Sequence, residues 1–384
     1  MPFYQRSWNA VLGENGPKPR PYNIRVNATF EEELPGKEPE KPKVAKAKLE
    51  EVVEFRKKLN KQLNEYNTKF TKGAIEIEKN VGTFGQYHIE KDKVIFNGLY
   101  SEIHHCKNDQ LQSKNGQKTE LIAREFKATS LIKPDELYLI LLRYIGNQNK
   151  FIVQTMDIFF DNKLHIFLFQ EYASHGNGFD YITDKKAGIS ESLMIRWARD
   201  LYSAMSYLGD LGISHRSIQP KHILLFPGTG DQPNEFQIKL SGFRDAIIYW
   251  DPTLDDIIYQ RCKPQNYMRI MFFQAPETFS DSNEYFDPVD ADVWSFGSTL
   301  FYFVSRILPF NARFPLSLLD SEIRNNIARI DSISDPVKFW LFGLLRTNTQ
   351  YRTDFDSIFD DPIFVSTPDS ATSFGKSDSK LSNT

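Results

Sequence analysis

Cysteine is almost absent from this sequence of 384 residues, which contains only Cys106 and Cys262. Two thiols cannot build the disulfide framework of a small secreted domain, so we expect a reducing compartment. A long apolar run is also lacking, since no stretch approaches the roughly 20 residues that a membrane-spanning helix needs. Met1–Arg6 contains no apolar core of the secretory type. These absences predict a cytoplasmic protein without a membrane partner.

An excess of charge of one sign is lacking as well. The 47 basic residues nearly balance the 50 acidic ones, which leaves a formal net charge of −3. Binding of nucleic acid normally requires a basic surface, so this balance predicts no nucleic-acid partner. Apolar and aromatic side chains are plentiful, at 40% and 14% of the residues, and they suffice for a large core.

Composition divides the chain into four segments. Residues 1–47 are rich in proline and charge, which predicts an extended leader. Residues 48–72 carry apolar side chains at steps of three and four, which predicts an amphipathic helix that lies on its own domain or binds a partner. Residues 86–365 alternate strand-like and helical segments and form the predicted domain. Residues 366–384 are rich in serine, threonine and lysine, which predicts a disordered tail.

Local patterns place the first strands of this domain between Tyr87 and Arg124. Asn115-Gly116 is a good hairpin turn within that range, because both residues tolerate positive φ. The continuous apolar run over His165–Phe169 predicts a buried strand. Beyond it the pattern is mainly helical, and it is clearest over Leu193–Leu208 and Trp294–Val304.

Four motifs in the second half of the chain resemble those of the protein kinase superfamily, in the family's order. They are HRSIQPKH at 215–222, IKLSGFR at 238–244, QAPE at 274–277 and DADVWSFG at 290–297. The resemblance implies an α+β, two-lobed kinase-like fold, with a strand-rich small lobe over 86–172 and a mainly helical large lobe over 173–365.

The resemblance also assigns five residues to the support of the fold. It implies that Glu277 pairs with Arg352 beneath the activation segment. It implies that Asp292 holds the backbone around His215 and Arg216. Retention of these residues is no evidence for catalysis, because they position the loops without touching the substrate.

Four positions that carry the chemistry in kinases hold other residues here. The catalytic aspartate is replaced by Ser217, whose hydroxyl cannot act as a carboxylate base. The phosphate-contacting lysine is replaced by the uncharged Gln219. The metal-binding asparagine is His222, whose nitrogen suits magnesium poorly, and the second metal-binding aspartate is Gly242. Asp245 remains as an alternative metal ligand.

The nucleotide site is altered too. The glycine-rich loop corresponds to residues 80–87 or to residues 96–103, and spacing favours the second, which keeps only Gly98 of its glycines. Arg124 takes the place of the strand lysine, and it pairs by resemblance with Glu136 of the following helix. Arginine has a bulkier head group than lysine, so this pair is interpreted mainly as a structural lock.

The hinge between the lobes is the remaining nucleotide-contacting segment. Glu171 and Tyr172 fall at hinge positions that contact the nucleotide in the family, and Gln170 falls at the gatekeeper position. Neither excludes a nucleotide. We therefore expect no metal and no cofactor, and ATP without magnesium stays open as an alternative.

The activation segment, residues 245–274, ends in the apolar run Met268–Phe273. Such a run is either core or a docking patch for a partner. Together these features predict a pseudokinase that acts as a scaffold or allosteric partner of an active kinase or cytoskeletal assembly. Its contacts would use residues 1–72 and the activation segment. The alternatives are a divergent serine/threonine kinase and a nucleotide-binding switch without catalysis.

Taken together, the motif sequences most resemble those of the calcium/calmodulin-dependent kinases. Gly98–Ile103 and Ile238–Ser241 are similar to loops of the testis-specific serine kinases. This resemblance implies association with sperm or the cytoskeleton, and it does not carry the activity of those kinases across.

Overall fold

The computed structural model describes a large part of the chain between residues 83 and 364. The ranges left out within it are 85–86, 99–100, 113–117, 127–141, 143–144, 147, 161–165, 186, 229–235, 252–255, 258–259, 262–272, 280–284, 311–315 and 362–363. The predicted leader 1–47, helix 48–72 and tail 366–384 lie outside the described residues and stay predictions. The proposed turn at Asn115-Gly116 lies outside them as well.

An antiparallel sheet of six strands forms the first part of the fold. Its spatial order is β1-β2-β3-β4-β6-β5. The strands are β1 (Thr83–Phe84), β2 (Tyr87–Asn97), β3 (Ser101–Gln112), β4 (Lys118–Phe126), β5 (Thr155–Phe160) and β6 (Ile166–Glu171). The strands predicted between Tyr87 and Arg124 are confirmed, and the buried strand predicted over His165–Phe169 is confirmed from Ile166 onward.

Side chains of this sheet alternate between two faces, as the pleat of a strand requires. In β4, Leu121 and Ala123 are fully buried on one face, while Ile122 and Arg124 point to the other. We call the Arg124 side the cleft face and the Ala123 side the outer face. The outer face carries a compact apolar cluster of Tyr87, Ile89, Cys106, Leu121, Ala123, Phe167 and Phe169.

The second part of the fold is mainly helical. It contains α1 (Gly178–Asp184), α2 (Glu191–Asp210), α3 (Pro288–Ser305), α4 (Leu319–Ala328) and α5 (Asp335–Leu344). Four two-stranded pairs accompany the helices: β7 (Ile213–Ser214) with β10 (Ile247–Ile248), β8 (Ile223–Phe226) with β9 (Gln237–Leu240), β11 (Trp250–Asp251) with β12 (Asp256–Ile257), and β13 (Gln260–Arg261) with β14 (Tyr285–Phe286). The helices predicted over 193–208 and 294–304 are confirmed, and each extends beyond its predicted ends.

Helix α3 is the centre of the large core. Its residues from Ala291 to Val304 are all buried, because the helix is surrounded by other elements and is apolar on nearly every side. The hydroxyls of Ser295 and Thr299 donate to carbonyls one turn earlier, at 2.9 and 2.8 Å, so these polar groups are satisfied within the helix. Helix α2 packs one face on this core, and the side chain of Ser190 caps its first turn from the position just before the helix.

A sheet of antiparallel strands followed by a larger helical region makes this an α+β fold with two lobes. The backbone of the two parts is joined where the Val153 amide donates to the Leu240 carbonyl at 3.0 Å. Among the described residues, none of the helices has both the length and the apolar character needed to cross a membrane.

A buried ion pair joins Glu277, which follows the activation segment, to Arg352 beside α3. The Arg352 side chain has no exposed surface, and its guanidinium binds both carboxylate oxygens of Glu277, one at 2.9 Å. It also donates to the carbonyls of Asp290 and Arg346 and lies over the Trp294 ring. Such a two-point contact is stronger and more directional than a single one.

Glu277→Gln is expected to destabilise the protein by about 3 kcal/mol, because it leaves a buried guanidinium without its counter-charge. Lys338→Gln removes an exposed ion pair with Asp335 and serves as the control, with an expected loss below about 1 kcal/mol. Urea unfolding of the three proteins measures both values. Equal losses in the two variants would contradict this account of the Arg352 pair.

Candidate functional site

The loop that follows β7 is held by one carboxylate of α3. Asp292 accepts hydrogen bonds from the backbone amides of His215 and Arg216, both at 2.7 Å, and from the Ser214 hydroxyl at 2.8 Å. Arg216 has a φ of +60°, which is unusual for a residue with a side chain. Burial raises the pKa of Asp292 to about 6, against the effect of these three donors.

His215 connects this loop to the segment after β9. Its Nε2 lies 2.9 Å from the Ser241 carbonyl and donates to it, while its Nδ1 accepts from the Ser217 amide at 3.3 Å. One nitrogen donates and the other accepts, so the ring is neutral. Burial, together with a smaller effect of the nearby His222, lowers the pKa of His215 to about 3. The ring also packs edge-on against Phe243, with centroids 4.6 Å apart.

Ser217 and Gln219 contact each other at the two positions that carry aspartate and lysine in kinases. The Gln219 Nε2 donates to the Ser217 hydroxyl at 3.2 Å, and Ser217 is buried. Neither side chain carries a charge near neutral pH. The pair therefore supplies neither a carboxylate to accept the substrate proton nor a cation to contact a phosphate.

His222 and Gly242 fit together sterically. A Cβ added to Gly242 would lie 2.4 Å from the Cγ of His222 and 2.5 Å from two further ring atoms. Gly242 also has a φ of +84°, a conformation that favours glycine. The imidazole thus fills the space that a side chain at position 242 would need. Its Nδ1 donates to the Ser217 carbonyl at 2.7 Å, which fixes the ring in place.

The charges of Arg124 and Asp245 both act on the ring of His222. Burial lowers the pKa of His222, the carbonyl of Ser217 and the charge of Asp245 oppose this, and the charge of Arg124 lowers it further. Asp245 is exposed to solvent. The Arg124 Nε is buried and has no hydrogen-bond partner within the described part of the chain. Glu136, its predicted partner, lies outside that part, so the Arg124–Glu136 pair stays a prediction.

Residues at the two metal positions do not fit magnesium. This ion prefers oxygen ligands in an octahedron, and Gly242 has no side chain. The Nδ1 of His222 is used in its bond to Ser217, and a nitrogen ligand suits the ion poorly. Asp245 is an exposed carboxylate whose charge acts on the ring, and its role as the alternative metal ligand stays a prediction.

The hinge residues are engaged within the protein. Glu171 accepts from the Gln154 amide at 2.7 Å and from the Lys239 ammonium at 2.6 Å. The Tyr172 ring lies edge-on to His105, with centroids 5.0 Å apart. Glu171 thus links the end of β6 to β9 and to the residue before β5, and Tyr172 contacts β3, so their observed contacts are structural.

At the gatekeeper position, Gln170 forms a hydrogen bond that the sequence did not predict. The Gln170 amide donates to the Thr155 hydroxyl of β5 at 3.0 Å, and both residues are buried. No sequence signal indicates this pair, because it depends on the register of β5 against β6.

The turn between β2 and β3 contains Gly98 within the predicted loop 96–103. The Gly98 amide donates to the Ser101 carbonyl at 2.9 Å. A Cβ at Gly98 would lie 2.5 Å from an edge atom of the Phe96 ring, so this ring lies against the turn. Of the competing stretch 80–87, the structure describes the short strand β1 and Tyr87.

The predicted apolar run Met268–Phe273 is described only at its last residue. Phe273 is buried in the large core, and its ring meets Tyr302 edge-on with centroids 5.9 Å apart. This end of the run is therefore core. The choice between core and docking patch stays a prediction for residues 268–272, which lie outside the described part.

A double-mutant cycle tests the fit of His222 to Gly242. Gly242→Ala is expected to cost about 2–3 kcal/mol of stability, from steric overlap plus the positive φ. In a His222→Ala background the cost should fall to about 1 kcal/mol, because only the backbone strain remains. Urea unfolding measures all four corners of the cycle.

Gly176 offers a matched control for this cycle. Its φ is +74°, and nothing lies within 4 Å of an added Cβ. Gly176→Ala should therefore cost about 1 kcal/mol with or without His222. Additive effects of His222→Ala and Gly242→Ala would contradict the steric fit.

The lowered pKa of His222 predicts acid sensitivity. In the unfolded chain a histidine takes up its proton near pH 6.5, whereas the folded protein keeps His222 neutral to lower pH. The unfolded state therefore binds more protons, and stability is lost as the pH falls below about 6.5. His222→Asn should reduce this loss by about 1 kcal/mol per pH unit, measured by urea unfolding between about pH 7.5 and pH 5. An unchanged slope would contradict it.

Comparison with known proteins agrees with this geometry. Relatives include the CBL-interacting serine/threonine-protein kinase 16 of Arabidopsis thaliana, 24% identical over 59% of this chain and 45% of the relative. Another is the serine/threonine-protein kinase ULK1 of Homo sapiens, 25% identical over 74% of this chain and 26% of the relative. A third is the CBL-interacting serine/threonine-protein kinase 14 of Arabidopsis thaliana, 29% identical over 53% of this chain and 42% of the relative.

The chain spans less than half the length of each of these three relatives. The protein kinase domain family matches it over residues 89–364, which is more than half of the sequence. This range contains most of β2, the strands β3 to β6, the Asp292-held loop and the Glu277–Arg352 pair. The chain therefore belongs to the protein kinase superfamily.

Proposed function

We propose that this kinase domain transfers no phosphate and acts by binding other proteins, as a scaffold or an allosteric partner. The single observation that carries the proposal is the contact of His222 with Gly242. Where a kinase holds two magnesium ligands, this protein has an imidazole packed into the space above a glycine. An aspartate at position 242 is sterically blocked while His222 is present.

The neutral Ser217–Gln219 pair supports the same proposal. A kinase needs an aspartate that accepts the proton of the substrate hydroxyl and a lysine that contacts the phosphate. Here the two positions bind each other, with 3.2 Å between the Gln219 amide nitrogen and the Ser217 oxygen. Ser217, Gln219 and His222 thus form hydrogen bonds within the loop, and the ring of His222 fills the space beside Gly242.

A divergent serine/threonine kinase is the second candidate. It is supported by the relatives, which carry that activity in their names, and by the intact Asp292 and Arg352 contacts that position the loops. A nucleotide-binding switch is the third candidate, since the hinge backbone remains and Arg124 keeps a positive charge near the ring of His222. Both candidates require ATP, which makes them testable together.

Phosphate transfer is the direct test. The purified chain, given radiolabelled ATP and magnesium, is expected to label neither itself nor a basic test protein above the level of a sample without enzyme. The matched variant combines Ser217→Asp, Gln219→Lys, His222→Asn and Gly242→Asp, which restores the four family residues. Transfer by the unmodified chain that disappears in Asp245→Asn or His222→Ala would overturn the proposal and establish the divergent kinase.

Thermal unfolding with nucleotide separates the remaining candidates. No change in Tm with ATP is expected, with or without magnesium, because a ligand raises Tm only if it binds the folded state. A rise that does not need magnesium would replace the scaffold by the nucleotide switch. A rise that needs magnesium would favour the enzyme. The quadruple variant is expected to gain the magnesium-dependent rise.

The binding surfaces of the scaffold are proposed to be residues 1–72 and the activation segment 245–274, in a cytoplasmic protein. The partner class is an active kinase or a cytoskeletal assembly. Support comes from the aromatic and apolar side chains in these segments of the sequence and from the uncharged residues Ser217 and Gln219 in the catalytic loop. Deletion of residues 1–72 should abolish binding to such a partner while Tm stays within a few degrees.

A further inference from the structure

Three potential metal ligands meet on the outer face of the sheet. Glu102 and His104 lie two residues apart in β3, so their side chains leave the strand on the same side. Glu125 of β4 stands directly opposite Glu102 in the antiparallel register. Ile103 and Arg124, which alternate with these residues, face the cleft. The cluster is therefore separated from the catalytic loop by the thickness of the sheet.

Distances within the cluster suit a small divalent cation. The His104 Nε2 lies 3.5 Å from a Glu102 carboxylate oxygen and 4.0 Å from a Glu125 carboxylate oxygen. One ligand atom from each residue lies within 4.8 Å of the other two. Ligands about 2.1 Å from a tetrahedral zinc ion are about 3.4 Å apart. The distance from His104 to Glu102 already matches this value, and the distance from His104 to Glu125 must shorten by about 0.6 Å. The oxygens of Glu102 and Glu125, within 4.8 Å of each other, must approach by at most about 1.4 Å.

His104 is the strongest sign of a missing ligand. The residue is 2% exposed, and neither ring nitrogen has a hydrogen-bond partner among the residues that the structure describes. A buried polar ring normally finds at least one partner. Nitrogen of a neutral imidazole is a preferred ligand of zinc, and a bound ion would satisfy the nitrogen that points at the carboxylates.

The carboxylates of Glu102 and Glu125 stand directly opposite each other on neighbouring strands. Like charges directly opposite each other on neighbouring strands destabilise a sheet. Lys91 of β2 supplies a positive charge at one edge, with its ammonium 2.6 Å from the Glu125 oxygen that faces His104. Its side chain is 41% exposed, so it can withdraw into solvent. The ammonium therefore competes with a metal ion for one carboxylate oxygen and leaves His104 unsatisfied.

We propose that Glu102, His104 and Glu125 form a zinc site on the outer face of the small lobe. The protein supplies one nitrogen and two oxygens, and a water molecule completes the tetrahedron. The ion would join β3 to β4 near the turn that contains Gly98, and Lys91 would move away from Glu125. The site is independent of the proposed scaffold function, because it uses the face opposite to the cleft.

Zinc titration of the full chain, free of affinity tags, tests the proposal. With a chromophoric chelator as competitor, the chain is expected to bind one zinc ion, and each of Glu102→Gln, His104→Gln and Glu125→Gln should weaken binding at least about 10-fold. Glu120→Gln is the matched control, since this exposed glutamate lies on β4 but faces the cleft side. Its affinity should equal that of the unmodified chain.

Lys91→Met gives a result that a purely structural cluster would not. Removal of the competing ammonium should raise zinc affinity several-fold, and zinc should raise Tm more in this variant than in the unmodified chain. Chelation by EDTA should reverse the rise. Cobalt replacing zinc in the unmodified chain should give the intense visible bands of a tetrahedral site, which tests the geometry even if a ligand variant fails to fold.

The proposal would be overturned by absence of one-to-one binding, or by cobalt spectra of an octahedral, mainly hydrated ion. It would equally be overturned if Glu120→Gln weakened binding as much as the three ligand variants. In that case the bound zinc would sit on exposed carboxylates rather than at His104.

Discussion

The Asp292 carboxylate is the contact on which the site depends. From inside α3 it accepts bonds from three consecutive residues, Ser214 to Arg216, and holds Arg216 in a backbone conformation that a residue with a side chain rarely adopts. Burial opposes its charge, so the three donors offset a real cost of desolvation. The position of His215 follows from this contact, and through the Ser241 carbonyl so does the position of Gly242.

The residues that shape the site differ from those at the positions that perform phosphate transfer in kinases. Asp292 and Arg352 each bind several backbone groups, so their loss would leave buried polar groups unpaired. Replacing the residues at the four catalytic positions leaves no such backbone group unpaired, because the family residues there act on substrate and metal. Ser217 and Gln219 bind each other, and His222 fills the space beside Gly242. The fold therefore keeps its geometry whichever residues occupy these four positions.

Features with a local cause were predictable from the sequence. The apolar run before Glu171 predicted β6, and the periodic patterns predicted α2 and α3, because burial of one face or of a whole helix leaves a direct trace in the residues. The altered catalytic positions were readable because the motifs fix their spacing. Contacts across strands were not, since Gln170–Thr155 and Glu102–Glu125 depend on register. The fit of His222 to Gly242 needed coordinates, because 20 residues separate them.

Under the proposed function, the interlocking of His222 and Gly242 would make a loss of phosphate transfer hard to reverse. A lineage that regained aspartate at position 242 first would carry a side chain that collides with the imidazole. A lineage that regained asparagine at position 222 first would open a space and still have half of a metal site. Neither single substitution restores both metal ligands, so positions 222 and 242 would have to change together.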